Sequence, residues 1–441
     1  MTRRSTTFIT GTAETESSDR YIPSDALILR QAQDERRVEG LRMSAHVEVV
    51  EPGSPGAFSA YVPSPEALHR TSWRDRVSRL TRREAIGLLG AGAGFGLVSA
   101  LRGARGLAAA PWQAGPARTP GFPNGAVIRT VLRDVSPDTL GTTATLFHEH
   151  LSFEWARVMP RPANGVPRPG PAQDVNLLAD ELRAAAGDGV GCIVDAGTTD
   201  VGRDVDFLKQ IAARTSVHIV ACGGLYMQRT YPAEVGTKSE DQVADDLVRD
   251  AVARRYGAFG EIGETPDAAM SPEERKVFRA VGKAHLRTNL PIFTHNAYGT
   301  GPNVPRDAGL RQLDAFESVG VKPEHVAIGH SCCLDDPSAD IIKQIGKRGA
   351  FVGFDRVTGG AVPDDKKVAM ILAFLEAGYA NRLLLSSDYN FTARSAARPG
   401  YGTTLTVFVP KLRQAGVKEE TIRGITVDNP RRFLAFVPKN A

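Results

Sequence analysis

From Ala126 onward the chain repeats one unit, a short apolar or β-branched run followed by an amphipathic stretch, which is the alternation expected of βα units. Eight runs of strand length stand out: TATLFHEHL (143–151), GCIVDAGTT (191–199), HIVACGGLY (218–226), GAFGEIGE (257–264), PIFTHNA (291–297), VAIGHSC (326–332), FVGFDRV (351–357) and RLLLSSDYN (382–390). Between them lie helical patterns such as NLLADELRAAAG, DQVADDLVRDAVARR, SPEERKVFRAVGKAHL and KKVAMILAFLEAG. Ser271, with Pro272 next and Glu274 three residues on, predicts a capping box at the start of the fourth helix. Eight strands each followed by a helix specify a single α/β domain, a closed (β/α)8 TIM barrel, better than an open doubly wound sheet. An open sheet would also carry a Gly-rich phosphate loop after its first strand, and LFHEHLSFEW is not one.

A parallel barrel carries its chemistry at the C-terminal ends of its strands. There the chain places His148 and His150 on the first strand, Glu261 on the fourth, His295 on the fifth, His330 on the sixth and Asp388 on the eighth. Strand side chains alternate with period two, so His148 and His150 share a face while Glu149 points away. Imidazole and carboxylate suit Zn2+, and also Mn2+, Co2+ or Fe2+, with positions left for water. Six ligands exceed one tetrahedral site and suit two cations sharing a bridge. The other histidines, His46, His69, His218, His285 and His325, fall away from that rim and read as structural or surface residues.

Composition narrows the remaining classes. Residues 1–110 hold 15 Lys plus Arg against 12 Asp plus Glu, which leaves 39 against 38 in the rest of a chain whose net charge is +4. So neutral a folded part argues against a nucleic-acid binder, which needs a basic surplus against phosphates. Cys192, Cys222, Cys332 and Cys333 are too few and too unevenly spaced for a disulfide framework or an all-cysteine zinc site.

Residues 1–72 lack a sustained period and are rich in Ser, Thr, Glu, Pro and Arg; they read as a disordered leader, or as the product of a start assigned too far upstream, with Met43 an internal candidate. Residues 73–110 resemble a twin-arginine export signal: Arg82-Arg83 precede an apolar, Gly-rich run from Ala85 to Leu101, and Ala108-Ala109-Ala110 offers a cleavage site. As a stable membrane span the run is short and diluted by glycine. Residues 111–125 read as a linker and 126–437 as the barrel. The expected location is therefore periplasmic or extracellular, with the twin-arginine machinery as partner. Export in a folded state would let a metalloenzyme take up its ions in the cytoplasm first.

With HEH, GEIGE, THN, GHS and SSDYN in this order on these strands, residues 126–437 resemble the phosphotriesterase-related branch of the amidohydrolase superfamily, including the closing DNPRRFLAF as its terminal helix. The resemblance implies a binuclear metal-dependent hydrolase in which His148, His150 and Asp388 hold the more buried ion and His295 and His330 the more exposed one. Where well-known members carry a bridging carboxylated lysine, the fourth strand here has none, so Glu261 is the natural bridge, as in a subgroup with glutamate in that place; Glu264, in the following loop, is the competitor. Two ions lower the pKa of water from about 16 to near 7, giving a hydroxide at neutral pH, and Asp388 is placed to relay its proton. Candidate substrate contacts are Tyr226, Arg229 and Tyr231 after strand three, Arg356 after strand seven, and Arg394, Arg398 and Tyr401 after strand eight. An arginine facing the metals favours a substrate bearing a carboxylate, sulfonate or phosphate. Cys332 and Cys333 read as packing residues. Carboxylic ester, lactone and amide substrates rank above phosphoesters. An isomerase or lyase on the same barrel would need a second acid–base partner beside Asp388, and a non-enzymatic binding protein would not need both ions. The resemblance also suggests a homodimer.

Overall fold

The computed structural model describes residues 121–158, 173–296, 298, 305–392 and 398–439. The expected leader and twin-arginine segment, most of the linker, and Arg394 lie outside these residues. Among the described residues no helix is long and apolar enough to cross a membrane.

Eight parallel strands follow one another around the sheet in chain order: β1 (Ala144–Glu149), β2 (Val190–Asp195), β3 (His218–Gly223), β4 (Ala258–Gly263), β5 (Ile292–His295), β6 (Val326–Ile328), β7 (Phe351–Phe354) and β8 (Leu383–Leu385). These are the eight runs read from the sequence. The circle closes beyond the last regular pairing, where His150 bridges Asn390, the His150 N–H donates to the Tyr389 carbonyl at 2.8 Å, and the Asp388 N–H donates to the His148 carbonyl at 3.2 Å. The seam thus lies on the rim that carries the candidate ligands.

Around the barrel lie α1 (Val175–Gly187), α2 (Val205–Ala212), α3 (Glu240–Arg254), α4 (Pro272–Thr288), α5 (Ala308–Glu317), α6 (Asp340–Arg348) and α7 (Asp364–Glu376). The capping box forms as expected: Ser271 Oγ accepts from the Glu274 N–H at 3.1 Å, and Glu274 Oε2 accepts from the Ser271 N–H at 3.0 Å. Each apolar helix stripe packs on the outward side chains of the sheet, such as Leu146, Ile193, Ile219, Ile262 and Ile328. The inward set is separate: Phe147, Val194, Val220, Phe293, Phe351 and Leu384 fill the barrel, and Phe433 and Leu434 close it from below. Each such phenylalanine removed from water contributes roughly 1.5–3 kcal/mol.

After β8 the chain runs through α8 (Val409–Gln414) and α9 (Glu419–Arg423) to α10 (Asn429–Leu434), the expected terminal helix. Asn429 Nδ2 donates to the Ala380 and Leu383 carbonyls at 2.8 Å each, and the buried Arg431 guanidinium meets Asp428 at 2.7 Å. These bonds seat Phe433 under the barrel, 5.4 Å from the Phe351 ring and 6.4 Å from Phe147.

Candidate metal centre

Three of the six candidate ligands reach the rim through irregularities that alternation alone does not provide. On β1, Ala144 and Leu146 face the helices and Phe147 faces the interior, so strict period two would turn His148 and His150 outward. Between Leu146↔Ile193 and Glu149↔Asp195 three steps of β1 match two of β2, and this extra residue re-aims the pair. On β4, Phe259 and Ile262 both face outward, and between Phe259↔Ile292 and Ile262↔Thr294 the same three-against-two count turns Glu261 inward. Gly260 permits it: a Cβ there would lie 2.4 Å from the Phe293 ring.

The other ligands sit at or past strand ends. His295 ends β5, inward like Phe293 two residues earlier. His330 lies two residues beyond β6 with φ of 50°, and Asp388 three beyond β8 with φ of 49°. A left-handed backbone costs a non-glycine residue on the order of 1–2 kcal/mol, so both geometries are held by their surroundings. The His330 N–H donates to both Asp355 oxygens, at 2.8 and 3.0 Å, and the Asp388 N–H to His148 as above.

The six side chains converge. Glu261 is at the centre: its Oε2 lies 2.9 Å from His295 Nδ1, 3.3 Å from His148 Nε2 and 3.6 Å from His330 Nε2, and its Oε1 lies 3.5 Å from His150 Nε2. Asp388 Oδ1 is 3.1 Å from His150 Nε2 and 3.8 Å from His148 Nε2. His330 Nε2 and His295 Nδ1 are 2.9 Å apart. Two sets have ligand atoms all within 4.8 Å of one another: His148, His150 and Asp388, and His148, Glu261 and His330. The first is the set the resemblance assigns to the more buried ion.

Sequence reading missed Asp355, the residue beneath this cluster. It is fully buried, and its Oδ2 meets His148 Nδ1 at 3.0 Å while its Oδ1 meets His330 Nδ1 at 3.0 Å. One carboxylate thereby fixes the tautomer and ring direction of two imidazoles, leaving both Nε2 atoms aimed at the site. The signal was present: Phe351, Gly353 and Asp355 follow period two from an inward phenylalanine.

Electrostatics show what this donor set requires. Burial alone would lower the His148 pKa, but the Glu261 and Asp355 carboxylates overcome it and push it up to about 10. His330 is likewise raised well above its ordinary value against burial, chiefly by Asp355, and His150 is raised by Asp388 and Glu261. In return the imidazoles hold Glu261 and Asp388 below the usual carboxylate range and Asp355 at about 2, although burial acts the other way on all three. Three carboxylates gathered in low dielectric demand compensating positive charge. Protons on the imidazoles can supply it, and so can cations. His148 Nε2 is a buried atom without a hydrogen-bond partner, and imidazole with carboxylate is a donor set for divalent first-row metals. The residues fit a pair of such ions.

The remaining candidates divide. Glu264 is turned away from the cluster, held by Arg311 at 2.6 Å and Gln312 at 3.2 Å, so it does not compete with Glu261 in position. Glu149 also points away, accepting from Ser386 Oγ, Ser387 N and Tyr389 N at 2.8, 2.9 and 2.6 Å, and so stitches the seam. Tyr226 reaches the site, its hydroxyl 3.3 Å from His295 Nδ1. Arg356 reaches it too, with Nε 3.4 Å from Asp388 Oδ2. Arg398 instead binds the Ser387 and Asp388 carbonyls at 2.8 and 2.9 Å, and Tyr401 the His150 carbonyl at 2.8 Å, so both brace the rim backbone. Arg229 donates to the Val158 carbonyl at 3.0 Å, and Tyr231 packs in the wall under its loop; neither side chain contacts the cluster. The His285 and His325 rings lie 5.0 Å apart, tilted by 41°, and none of His218, His285 and His325 belongs to the ligand sets found among the described residues.

The model of the phosphotriesterase family matches residues 126–434. The phosphotriesterase homology protein of Escherichia coli (strain K12) is 31% identical over 307 residues, 66% of this chain and 98% of that one. Its crystal structure, with phosphate in the active site, superposes with a TM-score of 0.58 at 30% identity, over 66% of this chain and 98% of that one. An aryldialkylphosphatase of Saccharolobus solfataricus is 30% identical over 314 residues (66% of this chain, 94% of that one), and the N-acetyltaurine hydrolase of Bos taurus 26% over 355 residues (70% and 98%).

Proposed function

The chain belongs to the phosphotriesterase family and is a hydrolase of it; from that premise we propose that it works with two divalent cations, zinc foremost, and cleaves a carboxylic ester, lactone or amide bond. The observation that carries the binuclear reading is the Glu261 carboxylate, which stands within 3.6 Å of an imidazole nitrogen from each of His148, His150, His295 and His330. A ligand shared by two ions has reason to face all four. When bound, the cations supply Lewis acidity toward a substrate oxygen and acidify water at the site.

The protein's own groups do the rest. His148, His150 and Asp388 would hold one cation, His295 and His330 the other, with Glu261 between them. Asp388 is ionised at neutral pH, since His150 and the neighbouring imidazoles hold it down against burial. By its position beside His150 and His148 it would accept the proton of the attacking water and return it to the leaving group. The Arg356 guanidinium beside it attracts an anionic substrate group and orients the scissile bond against Asp388. Tyr226, whose hydroxyl stays protonated because burial and the nearby Glu261 raise its pKa, donates a hydrogen bond into the same space. N-acetyltaurine hydrolase is named for an N-acetylated substrate, which fits the amide arm of this reading. A second reading, phosphoester hydrolysis, is favoured by the phosphate in the active site of the Escherichia coli relative and by the name of the aryldialkylphosphatase.

Metal analysis of the purified protein, combined with a screen of lactones, aryl esters, N-acyl amino acids and phosphotriesters, decides between them. Two equivalents of metal and fastest turnover of a carboxylic substrate are expected. One equivalent or none removes the binuclear reading, and fastest turnover of a phosphotriester replaces the first substrate class with the second. Export by the twin-arginine route and a homodimeric state belong to the same proposal; export that persists with that route blocked, or a monomer in sedimentation, removes the respective part.

A further inference from the structure

We propose that Cys332 and Cys333 are a redox-active dithiol, and that closing a disulfide between them disables the adjacent metal centre. The two thiols are neighbours in sequence, both buried, with their sulfurs 4.0 Å apart in the short helical turn Ser331–Cys333 that follows β6. Their contacts run directly into the site. Cys332 Sγ accepts the Arg356 N–H at 3.3 Å and lies 3.9 Å from Asp355 Oδ1, the oxygen that receives His330 Nδ1. The Cys333 N–H donates to the carbonyl of His330 itself at 2.9 Å. Cys192 and Cys222, in contrast, pack in the apolar barrel interior, so the pair is set apart among the cysteines by position as well as by adjacency.

A disulfide needs its sulfurs at about 2.05 Å, so about 2 Å of the present separation must be lost. Movement of either cysteine by that much bears on groups bonded into the site, since Cys332 Sγ lies between the Arg356 N–H and Asp355 Oδ1 and the Cys333 N–H is bonded to the His330 carbonyl. Adjacent Cα atoms are about 3.8 Å apart across a trans peptide, below the usual disulfide range of about 4.4–6.8 Å. The bond would therefore be strained and readily reduced, as regulatory disulfides are and structural ones are not.

The oxidant is a hydroperoxide, here hydrogen peroxide. Cys333, the more exposed of the two residues at 6% against 0%, supplies the sulfur that attacks the peroxide, breaking its O–O bond to give a sulfenic acid and one water. The Cys332 sulfur then displaces the hydroxyl of the sulfenic acid, forming the S–S bond and releasing a second water. Two thiol hydrogens and two electrons leave the protein, and one peroxide is reduced to two waters.

The test treats the metal-loaded full chain with hydrogen peroxide, maps the cysteines by alkylation and peptide mass, and measures zinc affinity and turnover of the best substrate from the screen before and after dithiothreitol. Expected are a Cys332–Cys333 peptide lighter by two hydrogens, turnover lower by on the order of 100-fold, the scale of a misplacement of an ångström or more at an active site, weaker zinc binding, and recovery of all three on reduction. Cys333→Ser, or Cys333→Ala should the first not fold, keeps its untreated activity and resists peroxide. Absence of that disulfide overturns the proposal, as do a disulfide that leaves zinc affinity and turnover unchanged, inactivation that dithiothreitol does not reverse, and equal sensitivity of the Cys333 variants. The activity and zinc readings rest on the metal-centre proposal and the mass reading does not, so the two failures are distinguishable.

Discussion

Replacing Asp355 with asparagine tests the support beneath the site without touching a ligand. In the native chain each carboxylate oxygen takes one imidazole, His330 Nδ1 on Oδ1 and His148 Nδ1 on Oδ2, both at 3.0 Å. Asparagine keeps one acceptor oxygen and puts an NH2 donor where the other was. One imidazole therefore loses its acceptor and must change tautomer or tilt, while the other keeps its bond. Loss of one such supporting contact costs about 10- to 100-fold in metal affinity or activity, or about 1.4–2.8 kcal/mol at 1.4 kcal/mol per tenfold. Only one imidazole contact is lost, and the His330 N–H, which donates to both oxygens, keeps one acceptor, so the penalty should fall within that range and not at its square. Zinc affinity is measured by competition with a chelator, and turnover with zinc in excess, so that weak binding and misplaced chemistry are read separately. A folded Asp355→Asn variant with wild-type zinc affinity would show that the two histidines hold their direction without the carboxylate, and would refute the reasoning.

Three other outcomes follow from the same coordinates. Asp388→Asn should retain both metals yet lose most turnover, while replacing His148 and His150 together should lower metal content; full activity of Asp388→Asn takes that residue out of the chemistry. Gly260→Ala drives a methyl to within 2.4 Å of the Phe293 ring, which is fully buried with Phe147 at 6.2 Å and His148 at 5.5 Å, so urea unfolding should show a loss of about 1–3 kcal/mol, with a fall in metal stoichiometry as Glu261 is displaced; an unaltered unfolding midpoint contradicts this. His285 is held neutral by burial, its pKa lowered to about 4, so between that value and the ordinary 6.5 the unfolded chain binds a proton that the folded one refuses. Its contribution is complete above about pH 6.5 and lost as pH falls toward 4, by about 3 kcal/mol at most at 1.36 kcal/mol per unit; the pH dependence of stability in His285→Gln, compared with wild type, should be flatter by that amount, and identical profiles would exclude the effect.

The barrel and its rim were legible because each element announces itself locally. A strand of four to six apolar residues ends in a residue no core would choose, His148, Glu261 or His295, and that contrast survives without coordinates. What could not be read was the register. Nothing in TATLFHEH says that one residue is inserted against β2, yet without it both histidines would face the helices. The same holds for GAFGEIG, where only the approach of Phe293 shows why Gly260 precedes the bridge. Asp355 was overlooked for a different reason: its partners, His148 and His330, come from strands remote in sequence, so its value appears only when the barrel closes. Arg229 and Arg356 look alike as loop arginines; one is drawn to the Val158 carbonyl and the other to Asp388, and backbone placement alone separates them.

Because the circle is sealed where His150 meets Asn390, the donors proposed for one cation come from the first strand and from just past the last. A nascent chain that has emerged only through β7 carries five of the six ligands and still lacks the group that completes the His148–His150 pair. On the proposed ligand set, no fragment truncated before Asp388 holds the full complement, so two bound ions would require that the first and last strands have met.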